Sequence, residues 1–179
     1  MPVLISIVGK KGSGKTEVLS RLITILTYHG CRVGVIKHLL KDHFEIDQPG
    51  KDTFRYRSEG AQKVVLSGRK RLAVFANVEE ETPLESLIPQ FEGYDIVFLE
   101  NYYQEDLPKI EIHSKESGDL LARELSDVIA ICSDEKPEYP APHFTTEQIE
   151  LLASFIEDTF LPVPSTNAAT ETLGGFRNA

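Results

Sequence analysis

Gly9-Lys10-Lys11-Gly12-Ser13-Gly14-Lys15-Thr16 fits the pattern G-x-x-x-x-G-K-[ST] at every fixed position. Each residue type has a chemical reason. Glycines let successive backbone N–H groups turn inward around phosphate oxygens, and a helix starting at the loop's end presents its positive pole to the same anion. Lys15 reaches β- and γ-phosphate oxygens, and the Thr16 hydroxyl ligates Mg²⁺. The pattern alone also occurs as a plain glycine turn. Here an apolar strand precedes it and an amphipathic helix follows, which is the context the phosphate-binding role requires.

Such a loop needs a second carboxylate to hold the magnesium ion or its waters. Glu100 ends the most apolar internal run, Asp95-Ile96-Val97-Phe98-Leu99, where an acid is costly to bury without a partner. Asp47 is the other candidate and lies in a polar stretch. Ser133-Asp134 follows a later apolar run, where an aspartate could accept from a guanine; an ordinary strand-ending turn reads the same way. Composition and spacing are compatible with GTP and ATP alike.

These groups must be held by a scaffold. Val3 to Val8 reads as a buried parallel strand, and Thr16 to Tyr28 as a helix closed by Gly30. Arg32 to Lys37 completes a βαβ unit. His38 to Ser58 has little periodicity and many charges, and reads as a long functional loop. Ala61–Ser67 and Leu72–Val78 form a hairpin turning at Gly68-Arg69 that is expected to extend the sheet. Pro83–Phe91 is a short helix, and Tyr94–Glu100, Lys109–His113 and Asp127–Cys132 are strands. Thr145 to Phe160 is the last helix, with Thr145 or Thr146 as N-cap. The fold class is α/β, a three-layer P-loop NTPase fold with a mostly parallel sheet and an added β-hairpin. Residues 1–161 form the nucleotide-binding domain, and 162–179 a polar tail.

The chain has 179 residues, 41% of them hydrophobic, which suits one well-buried domain. Its 28 acidic and 19 basic residues give a net charge of −9, which disfavours general nucleic-acid binding. The basic run Arg69-Lys70-Arg71 reads as a solvated turn. Cys31 and Cys132 lack cysteine neighbours and read as free thiols. The apolar start reads as a strand and not as a leader, and no run approaches the roughly 18 residues of a membrane span, so the expected location is cytoplasmic.

Further patterns join the glycine loop: Ile36-Lys37-His38, then Asp47 with Gly50-Lys51-Asp52-Thr53 and Arg55 leading to Gly60-Ala61, then Glu100 followed by Pro108-Lys109-Ile110-Glu111. Together they resemble the MobB family of molybdopterin-guanine dinucleotide biosynthesis proteins, from about Val3 to Phe160. The resemblance implies a homodimeric GTP-binding accessory protein with weak Mg²⁺-dependent GTPase activity, serving the guanylyltransferase that joins GMP to molybdopterin. It implies that Gly12, Gly14, Lys15 and Thr16 serve phosphate and magnesium, and that Asp47 and Glu100 serve the metal and hydrolysis. Lys51, Asp52 and Arg55 would belong to a mobile loop near the nucleotide. The chain departs from the family where Asn101-Tyr102-Tyr103 replaces a glycine, an aromatic and a lysine; Asn101 tolerates the left-handed turn a glycine would make. Lys10 resembles a lysine that dimerising ATPases send to the partner's nucleotide; a solvated surface lysine is the other reading.

Two other functions suit the same residues. One is a small-molecule kinase, with Arg55 and Arg57 on a phosphate lid. The other is an interaction domain with a vestigial site, which the intact Lys15-Thr16 pair opposes.

Overall fold

The computed structural model describes residues 1–39 and 48–161, which fall into two compact units, one formed by residues 1–38 and 91 onward and one by residues 39–90. Asp47 and the proposed tail from residue 162 lie outside the described residues.

The first unit is built on a six-stranded sheet. Its strands are β1 (Val3–Val8), β2 (Val33–Lys37), β5 (Ile96–Glu100), β6 (Lys109–Ile112), β7 (Val128–Cys132) and β8 (His143–Phe144). The order is β2-β5-β1-β6-β7-β8, and every neighbouring pair is parallel. Alternation along the strands sorts the apolar side chains between two faces. Ile5, Ile7, Ile96, Phe98, Ala130 and Cys132 face one core, where helix α1 (Lys15–Tyr28) brings Val18, Leu19, Leu22 and Leu26. Helix α4 (Ile149–Phe160) adds Ile149, Leu152, Ala153 and Ile156 to it. Ile131 points the other way, onto Leu120 and Ala122 in the 3₁₀ turns after β6. The second face is therefore covered near β7 by short turns rather than by a long helix.

The sheet carries its functional end at the carboxyl tips of β1, β2 and β5. From β1 the chain runs through α1 to β2 on one side, whereas β6, β7 and β8 build out on the other. The tip of β1 is thus the point where strand order changes direction, the usual ligand crevice of an open parallel sheet. Ser6, the one polar residue in β1, is fully buried, and its hydroxyl donates to the Tyr102 carbonyl at 2.6 Å, tying the segment after β5 to the central strand.

The second unit holds helix α2 (Asp52–Ser58), the hairpin strands β3 (Lys63–Ser67) and β4 (Leu72–Ala76), and helix α3 (Leu84–Leu87). Two expectations are corrected here. The polar stretch to Ser58, read as loop, closes with a helix whose Asp52 lies in the first turn and Arg55 and Arg57 in the last, the arrangement that suits a helix dipole. Among the described residues the hairpin does not extend the main sheet: β3 and β4 pair with each other, antiparallel, as a separate two-stranded sheet. A third correction concerns α4, which starts at Ile149 and not at Thr145. The Gln148 side chain accepts from the Thr145 N–H, while the Thr146 hydroxyl is drawn to Asp134, so neither threonine caps the helix.

Candidate functional site

The phosphate loop bridges β1 and α1. Gly9, Gly12 and Gly14 adopt φ of 151°, 84° and 89°, conformations L side chains rarely take. Gly9 is also sterically required, because a Cβ there would lie 2.3 Å from the Ile112 carbonyl oxygen. Gly14 occupies the N-cap of α1 and offers no side-chain cap, so the first-turn N–H groups of a 14-residue helix remain available to an anion. The Ser13 hydroxyl is buried within the loop without a hydrogen-bond partner among the described residues. Lys11 and Thr16 are exposed on the loop and the first turn of α1. Lys10 is half-buried, its ammonium lying over Gly118 in the turn after β6.

The Lys15 ammonium does not stand alone in the site, as a phosphate lysine might be pictured. It folds back on its own loop, donating to the Gly9 carbonyl at 2.6 Å and the Lys10 carbonyl at 3.0 Å. Burial pushes its pKa below the ordinary 10.5, Glu100 pulls it back up, and Lys37 pushes it down again. Glu100 is 6% exposed at the end of β5 and registers between Lys37 of β2 and Ile7 of β1. Its Oε1 accepts from the Lys37 ammonium at 3.1 Å. The partner demanded by a buried acid is thus Lys37, which lies in the Ile36-Lys37-His38 pattern but was given no role by the sequence.

Beyond Glu100 the chain turns through Asn101, whose φ of 70° supplies the left-handed corner expected of it. The Asn101 amide donates to the His38 carbonyl at 3.2 Å. The Tyr103 hydroxyl donates to the Gly9 carbonyl at 2.9 Å, with the Asn101 side-chain oxygen 3.2 Å away as a second acceptor. Tyr103 therefore sets a phenol directly on the phosphate loop. Tyr103 was missed as a site residue because its partner lies 94 positions away in the chain.

The other expected site residues have contacts of their own. Asp134, exposed after β7, accepts from the Thr146 hydroxyl, while Ser133 beside it donates to the Glu135 carbonyl. Lys51, Asp52 and Arg55 belong to the second unit, where they line a groove with Gly50, Phe54 and Ser58.

The donor set suits a nucleoside triphosphate with magnesium. A glycine loop, an uncapped helix terminus and a lysine would take the phosphates; the Thr16 hydroxyl and the Glu100 carboxylate are hard oxygen donors of the kind Mg²⁺ accepts, with water and phosphate completing its shell. Among the described residues no cluster of three or more His, Cys, Asp or Glu forms a separate metal site.

Comparison with known proteins gives the family and the fold. Residues 4–134 match the family model described as molybdopterin guanine dinucleotide synthesis protein B. The molybdopterin-guanine dinucleotide biosynthesis adapter protein of Haemophilus influenzae is 32% identical over 157 residues, covering 87% of this chain and 88% of that protein. The Escherichia coli adapter protein is 30% identical over 159 residues, covering 86% and 90%. A crystal structure of molybdopterin-guanine biosynthesis protein B superposes with a TM-score of 0.69 at 26% identity, over 87% of this chain and 99% of that one. The Bacillus subtilis MobB structure gives a TM-score of 0.70 at 24% identity, over 90% and 99%, a likeness of fold. The chain is a member of the molybdopterin guanine dinucleotide synthesis protein B family, MobB.

Proposed function

We infer that this chain is a GTP-binding adapter in molybdopterin guanine dinucleotide biosynthesis, holding GTP with Mg²⁺ at the Gly9–Thr16 loop and assisting the guanylyltransferase that handles the pterin. The observation that carries the reading is the phosphate loop itself, set at the tip of the central strand with Lys15 and Glu100 converging on it. Family membership supplies the pathway. One oxygen of the Glu100 carboxylate is already engaged by the Lys37 ammonium at 3.1 Å, which supports slow hydrolysis rather than efficient turnover. The kinase alternative gains little from Arg57, whose guanidinium stacks 5.4 Å over the Phe75 ring within the second unit. The test is reconstitution: added to the guanylyltransferase reaction, the native chain should raise the yield of dinucleotide cofactor and the Lys15→Ala chain should not. Equal stimulation by both would remove the nucleotide site from the function.

Within this reading Thr16 and Glu100 hold the metal, directly or through water, with Asp47 as the other candidate. Lys51 and Arg55 contact a second anionic group, with Asp52 beside them in the first turn of α2, and Asp134 serves guanine. Glu100→Gln should keep the fold, since an amide oxygen still accepts from Lys37, yet abolish most of the magnesium enhancement of GTP binding. Calorimetry with and without Mg²⁺ reads this, and an unchanged enhancement would pass the metal role to Asp47.

A homodimer is the assembly proposed. Leu72, Val65 and Val74 on the hairpin are 69%, 51% and 51% exposed, and two strands paired only with each other leave open edges. Light scattering should give a mass near twice 20.0 kDa, and a monomer at micromolar concentration would refute it. Among the described residues no helix is long and apolar enough to cross a membrane; a cytoplasmic location is the reading that goes with the pathway.

A further inference from the structure

The Gly9 carbonyl accepts from two side chains, and the reason lies in how many protons Lys15 has to give. An ammonium carries three N–H donors. In the structure two of its hydrogen bonds go to the Gly9 and Lys10 carbonyls. A phosphate-loop lysine must also serve β- and γ-phosphate oxygens, which makes four acceptors for three protons. At least one loop carbonyl must be released when a triphosphate binds.

Gly9 is buried, so a carbonyl abandoned there would be an unsatisfied acceptor. Each carbonyl has a second donor close by. The Ser13 N–H reaches the Lys10 carbonyl at 3.2 Å, within the loop. The Gly9 carbonyl receives the Tyr103 hydroxyl at 2.9 Å, from a different strand connection.

We propose that Tyr103 is a positioning residue of the phosphate loop, whose hydroxyl keeps the Gly9 carbonyl satisfied while Lys15 turns its protons to the phosphates. This rests on the nucleotide reading above and deepens it. Three contacts prepare the phenol for the role. Ser6 anchors the neighbouring Tyr102 carbonyl from inside the sheet. The left-handed Asn101 turns the chain back toward the loop, and its own amide is pinned to the His38 carbonyl. Burial, then the nearby Glu100 and Glu111, raise the Tyr103 pKa against the opposing effect of the Gly9 contact, so the hydroxyl stays a protonated donor.

The experiment is a four-protein cycle: native, Lys15→Ala, Tyr103→Phe and the double variant, each melted without nucleotide and titrated with Mg-GTP. Phenylalanine keeps the ring and removes only the donor. Without nucleotide, Tyr103→Phe should move Tm little in the native background, where Lys15 still covers Gly9. In the Lys15→Ala background it should lower Tm by about 4 °C beyond the sum of the single changes, because the carbonyl then has no side-chain donor. Tyr103→Phe alone should weaken Mg-GTP about tenfold, as expected for one buried acceptor left unpaired in the bound state. A purely structural tyrosine would lower Tm equally in both backgrounds and leave the nucleotide affinity alone; either result overturns the proposal. If the native protein binds no nucleotide while the melting cycle is non-additive, the nucleotide reading falls and the Tyr103–Gly9 link stands.

Discussion

Replacing Lys15 with alanine is expected to weaken triphosphate binding by at least about tenfold and up to about a hundredfold, the range for charged hydrogen bonds lost to an anion. The fold should hardly notice. The side chain's hydrogen bonds are to its own loop, and burial disfavours its charge, so removal gives up little native stability. A Tm shift within about 2 °C is expected, as for substitutions away from core packing. The same residue sets a pH dependence whose sign follows from its environment. The cation is the form that binds phosphate, and burial lowers its pKa below 10.5. GTP affinity should therefore fall as pH rises, starting below the range of an ordinary lysine. That limb should be missing from Lys15→Ala. Calorimetry across the alkaline range reads both effects, and identical profiles for the two proteins would remove Lys15 from the site.

Gly9→Ala is expected to have the largest effect on the fold. The new Cβ would lie 2.3 Å from the Ile112 backbone oxygen and 2.6 Å from the Ser13 hydroxyl. The serine can rotate, but the carbonyl belongs to β6, which is hydrogen-bonded to β1 and β7 and has little room to yield. A cost of about 3 kcal/mol is expected from forced overpacking. For a domain of this size that is a Tm loss of about 6–12 °C. Nucleotide binding should fail at the same time, since any relief comes from moving the start of the phosphate loop. A thermal melt within a degree or two of the native protein would show that the junction of β1 and β6 is softer than its geometry implies.

The phosphate loop was legible in the sequence because its physics is local: eight contiguous residues, with a strand before and a helix after. The acid at Glu100 was legible for a similar reason, since a charge ending an apolar run demands an explanation. What completes the site was not, because it comes from distant parts of the chain. Lys37 meets Glu100 across 63 positions, and Tyr103 meets Gly9 across 94. Neither residue type announces such a partner. The lysine ends a strand as many lysines do, and the tyrosine read only as a departure from the family.

The misread elements follow the same division. Helix α2 is seven residues long and buries no side chain, so it shows no apolar period to find; its one signal was charge order, acid first and arginines last. The start of α4 was placed too early because Thr146, a good capping residue, spends its hydroxyl on Asp134. The hairpin was recognised from its turn, but nothing in alternating valines and leucines tells whether a strand joins the main sheet or stands apart with one partner.

The central claim is that Gly9–Thr16 binds a guanine nucleotide with magnesium. The most direct measurement is calorimetric titration of the native chain with GTP and with ATP, each with and without Mg²⁺. The account predicts saturable binding of one GTP per chain, strengthened by magnesium and tighter than ATP. Heat changes no larger than dilution for both nucleotides, with magnesium present, would contradict it.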